Sequence, residues 1–435
     1  MVPYSAACCL RAFALMIESD RSTCFRSISA EILADLKTLR GQLLHWLRTH
    51  ALPLWETHGV DRASGGYFES ITFDAERRVF DARGDIRRGR VVARQMFVFH
   101  TARSLGWQCG DLDPLRHGCD YLFAHLKRDD GLFHTAVDAR SRIESGVFSL
   151  YEAAFYLFAM AKVHGTLSGE YPLHDTAFKF LGLLRQGWGK DNGGFDESHP
   201  ATLPLKANPH MHLLEAALAW VEATAAMPAE QSAWIALAEE IVDLALHRYI
   251  DSRTGALREF FDESWRPMAD DSGRIVEPGH QFEWAWLLLQ WVASHHCPEE
   301  HRTVCRSAAS RLVQVGERGV DPHRGVAFNE LWDDMTPKDT SAKLWPQTER
   351  VKAWCAVLEG CTTPEQAESA GRNLSQSILG LQRYLDFEPM GLWQEAMLAD
   401  GTFTREPCKA SSFYHIVCAI EIFDRCMARA ESIWN

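Results

Sequence analysis

No run of eighteen consecutive apolar residues occurs in this chain, so no transmembrane helix is expected. Basic tracts are missing too. Lys and Arg together number 45 against 58 Asp and Glu, a formal net charge of −13, which leaves no electrostatic footprint for nucleic acid or an anionic membrane. The 12 cysteines are scattered; Cys8-Cys9 is the close pair and no CxxC occurs, so structural zinc is not expected. Cys305, Cys355 and Cys418 fall inside apolar helical patterns and read as buried thiols, a usage that suits a reducing cytoplasm. HExxH is absent, and so is any glycine-rich nucleotide loop, so neither a nicotinamide nor a P-loop is indicated and no cofactor is expected. Pro, Gly and Ser never concentrate into a linker. Residues 1–28 are mildly apolar but interrupted by Arg11; they read as an N-terminal extension rather than a signal peptide, and residues 29–435 as a single domain.

Apolar residues are plentiful, 46% of the chain, and their spacing is helical. Residues 29–58 give a long amphipathic helix through Ile32, Leu36, Leu39, Leu43 and Leu47. Periodic segments follow at 95–107, 148–164, 208–226, 232–249, 280–296, 303–317, 344–360, 366–385 and 411–431. Between them a short signature recurs, a glycine followed by apolar or aromatic residues, as in Gly66-Tyr67-Phe68 and Gly194-Phe195-Asp196. The glycines stand at 66, 131, 194, 255, 325 and 391, separated by 65, 63, 61, 70 and 66 residues. Such a period holds two helices and two connections, too long for a small solenoid repeat. Six helical hairpins in a ring make an all-α (α/α)6 barrel with an inner and an outer ring; the alternative is an open α-solenoid. Strand-length alternation is almost confined to the glycine turns, and 262–278 and 329–343 read as irregular loops over one mouth.

Each glycine turn is followed by a helix that opens with polar or aromatic groups. In a ring of hairpins, equivalent positions point to one place. Arg94, Tyr151, His212, His280, Glu283, Trp345, Glu349 and His415 are therefore expected to converge at one end of the barrel. A lone helical histidine is more often structural than functional, and Arg94 on an apolar helix needs a carboxylate such as Glu152, Glu283 or Glu349. Three histidines, an arginine and two glutamates at equivalent places are costly to bury without a function. His280 and Glu283, three apart, share a helix face and read as a pair. His212-x-x-Glu215 and His280-x-x-Glu283 repeat a spacing that could serve a binuclear metal, although the di-metal bundle motif runs in the opposite order, and no metal is expected. Histidine takes and returns protons near neutral pH, arginine steadies a developing enediolate, and aromatic walls suit sugar rings.

Glu277-Pro278-Gly279-His280 through Trp284, Trp345-Pro346-Gln347-Thr348-Glu349, Asn208 to Glu215 and Arg94-Gln95 together resemble the N-acylglucosamine 2-epimerase family. The resemblance covers roughly residues 30–430 and includes epimerases similar to renin-binding protein, cellobiose 2-epimerases and mannose-type aldose–ketose isomerases. It implies an (α/α)6 barrel and metal-free proton transfer at C1/C2 of an open-chain sugar. By resemblance, His280 and His415 match the two acid/base histidines and Arg94 the arginine near the C1/C2 oxygens. His212 and Asn208 match substrate-binding positions, and Glu283 the carboxylate that orients a histidine or a hydroxyl. Tyr151, Trp345, Glu349 and Trp393 complete an aromatic and polar wall. The stretches around Arg94 and from Gly391 to Val417 look most like bacterial members described as mannose or mannose-6-phosphate isomerases, so aldose–ketose isomerisation is favoured over 2-epimerisation. The expected partner is a monosaccharide or sugar phosphate, with Arg405 and Lys409 as candidates for a phosphate, and the resemblance is compatible with a homodimer. Competing readings are a glycoside hydrolase or lyase on the same barrel, and a non-catalytic sugar- or protein-binding barrel.

Overall fold

The computed structural model describes residues 28–110, 113–145 and 147–434; the expected N-terminal extension, apart from Ile28, lies outside the described residues. Its helices alternate between two roles. Six form an inner ring: α3 (Gly89–Ser104), α5 (Leu150–Leu167), α7 (Ala207–Ala223), α9 (Pro278–Ala293), α11 (Leu344–Glu359) and α13 (Ala410–Trp434). The outer ring consists of α1 (Ala30–Trp46) continued by α2 (Leu52–His58), then α4 (Pro114–Tyr121), α6 (Leu173–Trp188), α8 (Pro228–Leu244), α10 (Glu299–Arg318) and α12 (Pro364–Leu385). Each inner helix packs on the next, and α13 packs back on α3, which closes the barrel and excludes the open solenoid.

The sequence explains which helix goes where. An outer helix needs one apolar stripe: α12 buries Ala367, Ala370, Leu374, Ile378 and Leu381, three or four residues apart, and leaves its other face in water. An inner helix is covered by the outer ring on one side and neighbours on two others, so α5 buries Leu150 and almost everything from Glu152 to Ala161. Start signals are local. Ser29, Asp113 and Thr363 accept backbone N–H groups at the openings of α1, α4 and α12, and Pro114, Pro228, Pro278 and Pro364 occupy first-turn positions where no N–H is needed. Two outer helices, α4 and α6, were not among the periodic segments. Gly118 interrupts the short α4, and Gly182, Gly187 and the exposed Phe178 blur the stripe of α6.

All six repeat glycines have positive φ, between +69° and +99°. That left-handed conformation reverses the chain after each outer helix, and it is the physical reason for the glycine period. The turns then do something that apolar periodicity could not reveal. The strand leading into one inner helix pairs antiparallel with the strand that follows the next glycine. Thus Ile86–Arg88 pairs with Ala136–Asp138, Phe148–Ser149 with Ser198–His199, and Leu205–Lys206 with Phe260–Phe261. Ile275–Val276 pairs with Glu330–Trp332, and Ala342–Lys343 with Ala396–Met397. The sixth pairing, Cys408–Lys409 with Ser70–Asp74, joins the last repeat to the first. The stretches 262–278 and 329–343 are therefore not irregular throughout; they supply part of a three-stranded sheet, Ile275–Val276, Glu330–Trp332 and Pro337–Asp339. These pairings crown the mouth where all inner helices begin.

Candidate active site

Because the inner helices start in register, a position counted from each start is a level in the barrel. The second residues are Arg90, Tyr151, Asn208, Gly279, Trp345 and Ser411. The sixth residues, one turn deeper on the same face, are Arg94, Phe155, His212, Glu283, Glu349 and His415. A cavity of about 410 Å³ opens here, lined by Arg94, Tyr151, Asn208, His212, His280, Glu283, Trp345 and His415, with Glu277, Lys343, Glu395, Glu406, Lys409, Ser411 and Ser412 toward the mouth.

Eight of the ten expected site residues thus meet around one space. The other two do not line it. Glu349 lies behind His415 and accepts its Nδ1 at 2.9 Å. Trp393 is buried in the wall, stacked on Trp55 with ring centroids 5.0 Å apart, and donates its Nε1 to Glu395 at 2.9 Å. Trp393 is therefore a core residue that orients Glu395, not a surface for substrate; an aromatic after a glycine turn cannot be told from a lining residue by sequence alone.

The expected His280–Glu283 pair is also replaced. His280 Nδ1 lies 2.8 Å from Glu259 Oε2 and 3.5 Å from Glu277 Oε2. Glu283 reaches instead toward His212 Nδ1 at 3.9 Å and Lys352 Nζ at 3.8 Å. Glu259 was missed, yet the repeat marks it. Like Glu259, Glu69, Glu197 and Glu395 stand immediately before the strand that follows their glycine, and each accepts the backbone N–H that precedes an inner helix: Arg88, Lys206 and Lys409. Asn329 does the same for Lys343. In the fourth repeat the pre-helix residue is Glu277, not a cation, and the Glu259 carboxylate turns to His280.

Three imidazoles now share one arrangement. Nδ1 of His280 faces Glu259, Nδ1 of His415 faces Glu349, and Nδ1 of His212 faces Glu215 at 3.3 Å. Each carboxylate orients its ring, and Nε2 is left for the cavity. The indole of Trp345 stands between two of them, 4.9 Å from the His280 ring and 6.1 Å from the His415 ring. It fits there because Gly279 carries no side chain; a Cβ at that position would come 2.4 Å from the indole.

Arg94 has no ion-pair partner among the described residues; Glu152, one expected candidate, pairs with Arg90. Arg94 donates to the Tyr151 hydroxyl at 2.8 Å and to Ser411 O at 3.3 Å, and its guanidinium lies 4.1 Å from the Phe155 ring centroid. Its charge is thus held in place without being neutralised.

The proton inventory differs between the histidines. Burial would depress His280, but Glu259 and Glu277 outweigh it and hold it up to about 10. Burial pushes His212 down to about 4 against the pull of Glu215. It also lowers His415, where Arg94 and Lys352 add to the effect and Glu349 opposes it. Burial raises Glu283 and Glu277, the first helped by nearby Glu349. For Glu349, Lys352 and His415 outweigh burial and lower it. These surroundings favour the charged form of His280 and the neutral form of His415 at neutral pH.

Two groups bring donor atoms within 4.8 Å of one another, as a cation site would: His212 with Glu215 and Glu283, and Glu259 with Glu277 and His280. In the first, Tyr414 donates to Glu215 at 2.6 Å and the Lys352 ammonium already supplies positive charge. In the second, Glu259 Oε2 faces His280 Nδ1, while the buried Glu259 Oε1 has no hydrogen-bond partner among the described residues. Of the two residues expected near a phosphate, Lys409 lines the cavity, its Nζ 2.7 Å from Glu406, and Arg405 does not.

Comparison with known proteins places this geometry. The N-acylglucosamine 2-epimerase (GlcNAc 2-epimerase) family matches residues 66–419. A mannose-6-phosphate isomerase of Rhizobium meliloti (strain 1021) is 39% identical over 403 residues, 91% of this chain and 99% of that protein. A D-mannose isomerase of Thermobifida fusca is 29% identical over 271 residues, 58% of this chain and 64% of that one. The solved cellobiose 2-epimerase of Spirochaeta thermophila DSM 6192 superposes with a TM-score of 0.78 at 21% identity, covering 94% of this chain and 100% of that chain, and so shares the fold.

Proposed function

The chain belongs to the N-acylglucosamine 2-epimerase family of carbohydrate isomerases and epimerases, and from that premise we propose that it interconverts an open-chain aldose of mannose type with its ketose. The observation that carries this reading is two histidines in one cavity with different surroundings: His280 Nδ1 lies against two carboxylates, Glu259 and Glu277, which favour its cation, and His415 Nδ1 against Glu349 alone, with Arg94 near by, which together with burial favours its neutral form. His415 Nε2 takes the C2 proton. Arg94 and the His280 cation hold the enediolate oxygens as charge develops on them. His415 then returns the proton to C1, while His280 gives a proton to O1 and takes the hydroxyl proton from O2, which leaves a C1 hydroxyl and a C2 carbonyl, the ketose. Trp345 offers the flat apolar face on which the carbon chain lies. Epimerisation at C2 needs a second base on the opposite face; His280 with a pKa near 10 is a poor candidate at neutral pH, which favours the one-base route.

A glycoside hydrolase reading has less support. Hydrolysis needs two carboxyl groups facing each other across a bond, whereas of those lining the cavity Glu277 lies beside His280, Glu283 beside His212 and Lys352, Glu406 is paired with Lys409, and Glu395 is held by Trp393, Ser412 and Lys409 N. The 39% identical relative named for a phosphosugar and the Lys343 and Lys409 ammonium groups at the mouth support a phosphorylated substrate as the finer reading.

Incubation with mannose, mannose 6-phosphate, glucose and N-acetylglucosamine in deuterated water tests all of this. Solvent deuterium at C1 of a new ketose is the expected result. Deuterium at C2 of an inverted aldose without ketose points to epimerisation, and the absence of both new ketose and exchange with every sugar defeats the proposal. His415→Asn and His280→Asn should each lower turnover by about 10²–10⁴-fold while leaving the thermal unfolding midpoint near that of the parent; retained turnover in either variant removes that histidine from the chemistry.

A further inference from the structure

Lys352 stands at the ninth position of α11, one turn below Glu349, and is fully buried. Its Nζ lies 2.5 Å from Glu349 Oε2, 3.8 Å from Glu283 Oε1 and 3.9 Å from the centroid of the Trp286 ring. The titratable groups around it come from four inner helices: Glu349 on α11, Glu283 on α9, Glu215 on α7 and the Cys418 thiol on α13. Taking an ammonium out of water costs several kcal/mol. Packing alone would not require one, since Phe97 and Phe158 occupy the same level on α3 and α5.

The two oxygens of Glu349 divide their work. Oε1 meets His415 Nδ1 at 2.9 Å and Oε2 meets the ammonium at 2.5 Å. An ionised carboxylate only accepts, so the proton of the His415 ring must sit on Nδ1, and Nε2 presents its lone pair to the cavity. Without the ammonium, Glu349 would be a buried carboxylate beside Glu283 and Glu215, and taking up a proton would relieve it. A protonated Glu349 can donate to Nδ1, which moves the ring proton to Nε2 and puts a donor where a base is needed.

We propose that Lys352 is a positioning residue: from beneath the cavity floor its ammonium holds Glu349 against His415 and so fixes which nitrogen of His415 faces the sugar. The proposal rests on the reading of His415 as the base, but its test does not need turnover. In protein labelled with ¹⁵N-histidine, the His415 signals are identified by their loss in His415→Asn, and the nitrogen shifts report the tautomer directly. The parent protein is expected in the Nδ1–H form. Lys352→Met is expected to populate the Nε2–H form, to bind D-mannitol within about threefold of the parent, and to lower kcat about 100-fold with KM little changed. Lys352→Arg should retain the Nδ1–H form. Should Lys352→Met not fold, Glu349→Gln reads the same device. Its amide oxygen turns to the ammonium and its NH₂ to Nδ1, so the Nε2–H form is again expected. An Nε2–H parent, or an Nδ1–H form that persists in the folded Lys352→Met or in Glu349→Gln, overturns the proposal. Because the spectra need no substrate, the proposal can fail while the sugar chemistry stands, and the reverse.

Discussion

Glu259 decides the charge of His280. Burial acts against that charge, so the cation persists only because Glu259 and Glu277 lie beside it. Replacing Glu259 with Gln keeps the shape and removes the larger of these attractions. His280 then titrates well below about 10, and the alkaline limb of the kcat/KM profile moves to lower pH. At pH 8 the variant is expected to lose about 10–100-fold in kcat, measured against the parent across pH 6–10. An unchanged limb would mean that His280 is not the group responsible. The sequence displayed His280, His415, His212 and Arg94, because ionisable residues on apolar helices stand out. Of their partners, spacing displayed Glu215 beside His212 but not the carboxylate of His280. Glu283 is nearer in sequence to His280, but Glu259, 21 residues away, is nearer in space, since strand pairing brings the glycine turn over the helix start.

At the scale of elements, the fourth residue of an inner helix does a different job from the sixth. Gln347 Oε1 accepts Ala327 N at 2.8 Å and its Nε2 donates to Ala327 O at 3.0 Å. Gln281 makes the same two bonds with Leu257, at 2.8 and 3.0 Å, and His210 Nε2 accepts Phe195 N at 3.0 Å. These clamps tie three of the glycine turns to the inner helices that follow them. They also explain why His210 is structural and His212 is not: two positions apart on one helix, they face opposite ways. Replacing Gln347 with Ala leaves the buried N–H and C=O of Ala327 unpaired and should cost about 1–3 kcal/mol. A lowered denaturant midpoint with turnover retained is the expected outcome; an unchanged midpoint would show the clamp to be dispensable. The clamps were present in the sequence as Gln281 and Gln347 but looked like ordinary polar residues, because a hydrogen bond to a distant turn leaves no periodic trace.

For the whole molecule, closure turns six weak signals into one site. All inner helices point their N-termini at the same mouth, where the positive ends of the helix dipoles add to Arg94 and the His280 cation. Closure also buries groups whose titration must show in stability. His280 titrates near 10 in the folded state against about 6.5 unfolded, so its stabilisation is complete below pH 6.5 and is lost as pH rises through 10. Glu277 and Glu283, raised by burial to about 7 and about 8, act in the same sense, and what they contribute is lost as pH rises from about 4.5 through those values. His210 and His212 titrate near 4, so what they contribute is present above about pH 6.5 and lost as pH falls toward 4. The unfolding midpoint should therefore peak near neutral pH and decline on both sides. A midpoint that keeps rising to pH 10 would contradict the charge assigned to His280.

The sequence by itself determined the helices other than α4 and α6, the glycine period and the family, because these follow from local conformational preference and from repetition along the chain; the packing of α13 on α3 decided closure. The sequence also determined which ionisable residues would meet, since equivalent places in a ring must converge. Tertiary structure alone decided the pairing: Glu259 with His280, Glu349 between His415 and Lys352, and Trp393 turned into the wall. Glu349 and Lys352, three apart on α11, are within reach of each other by spacing alone, but the contacts of 2.8 and 2.9 Å that give each of His280 and His415 its carboxylate run between repeats, and no spacing along the chain encodes them.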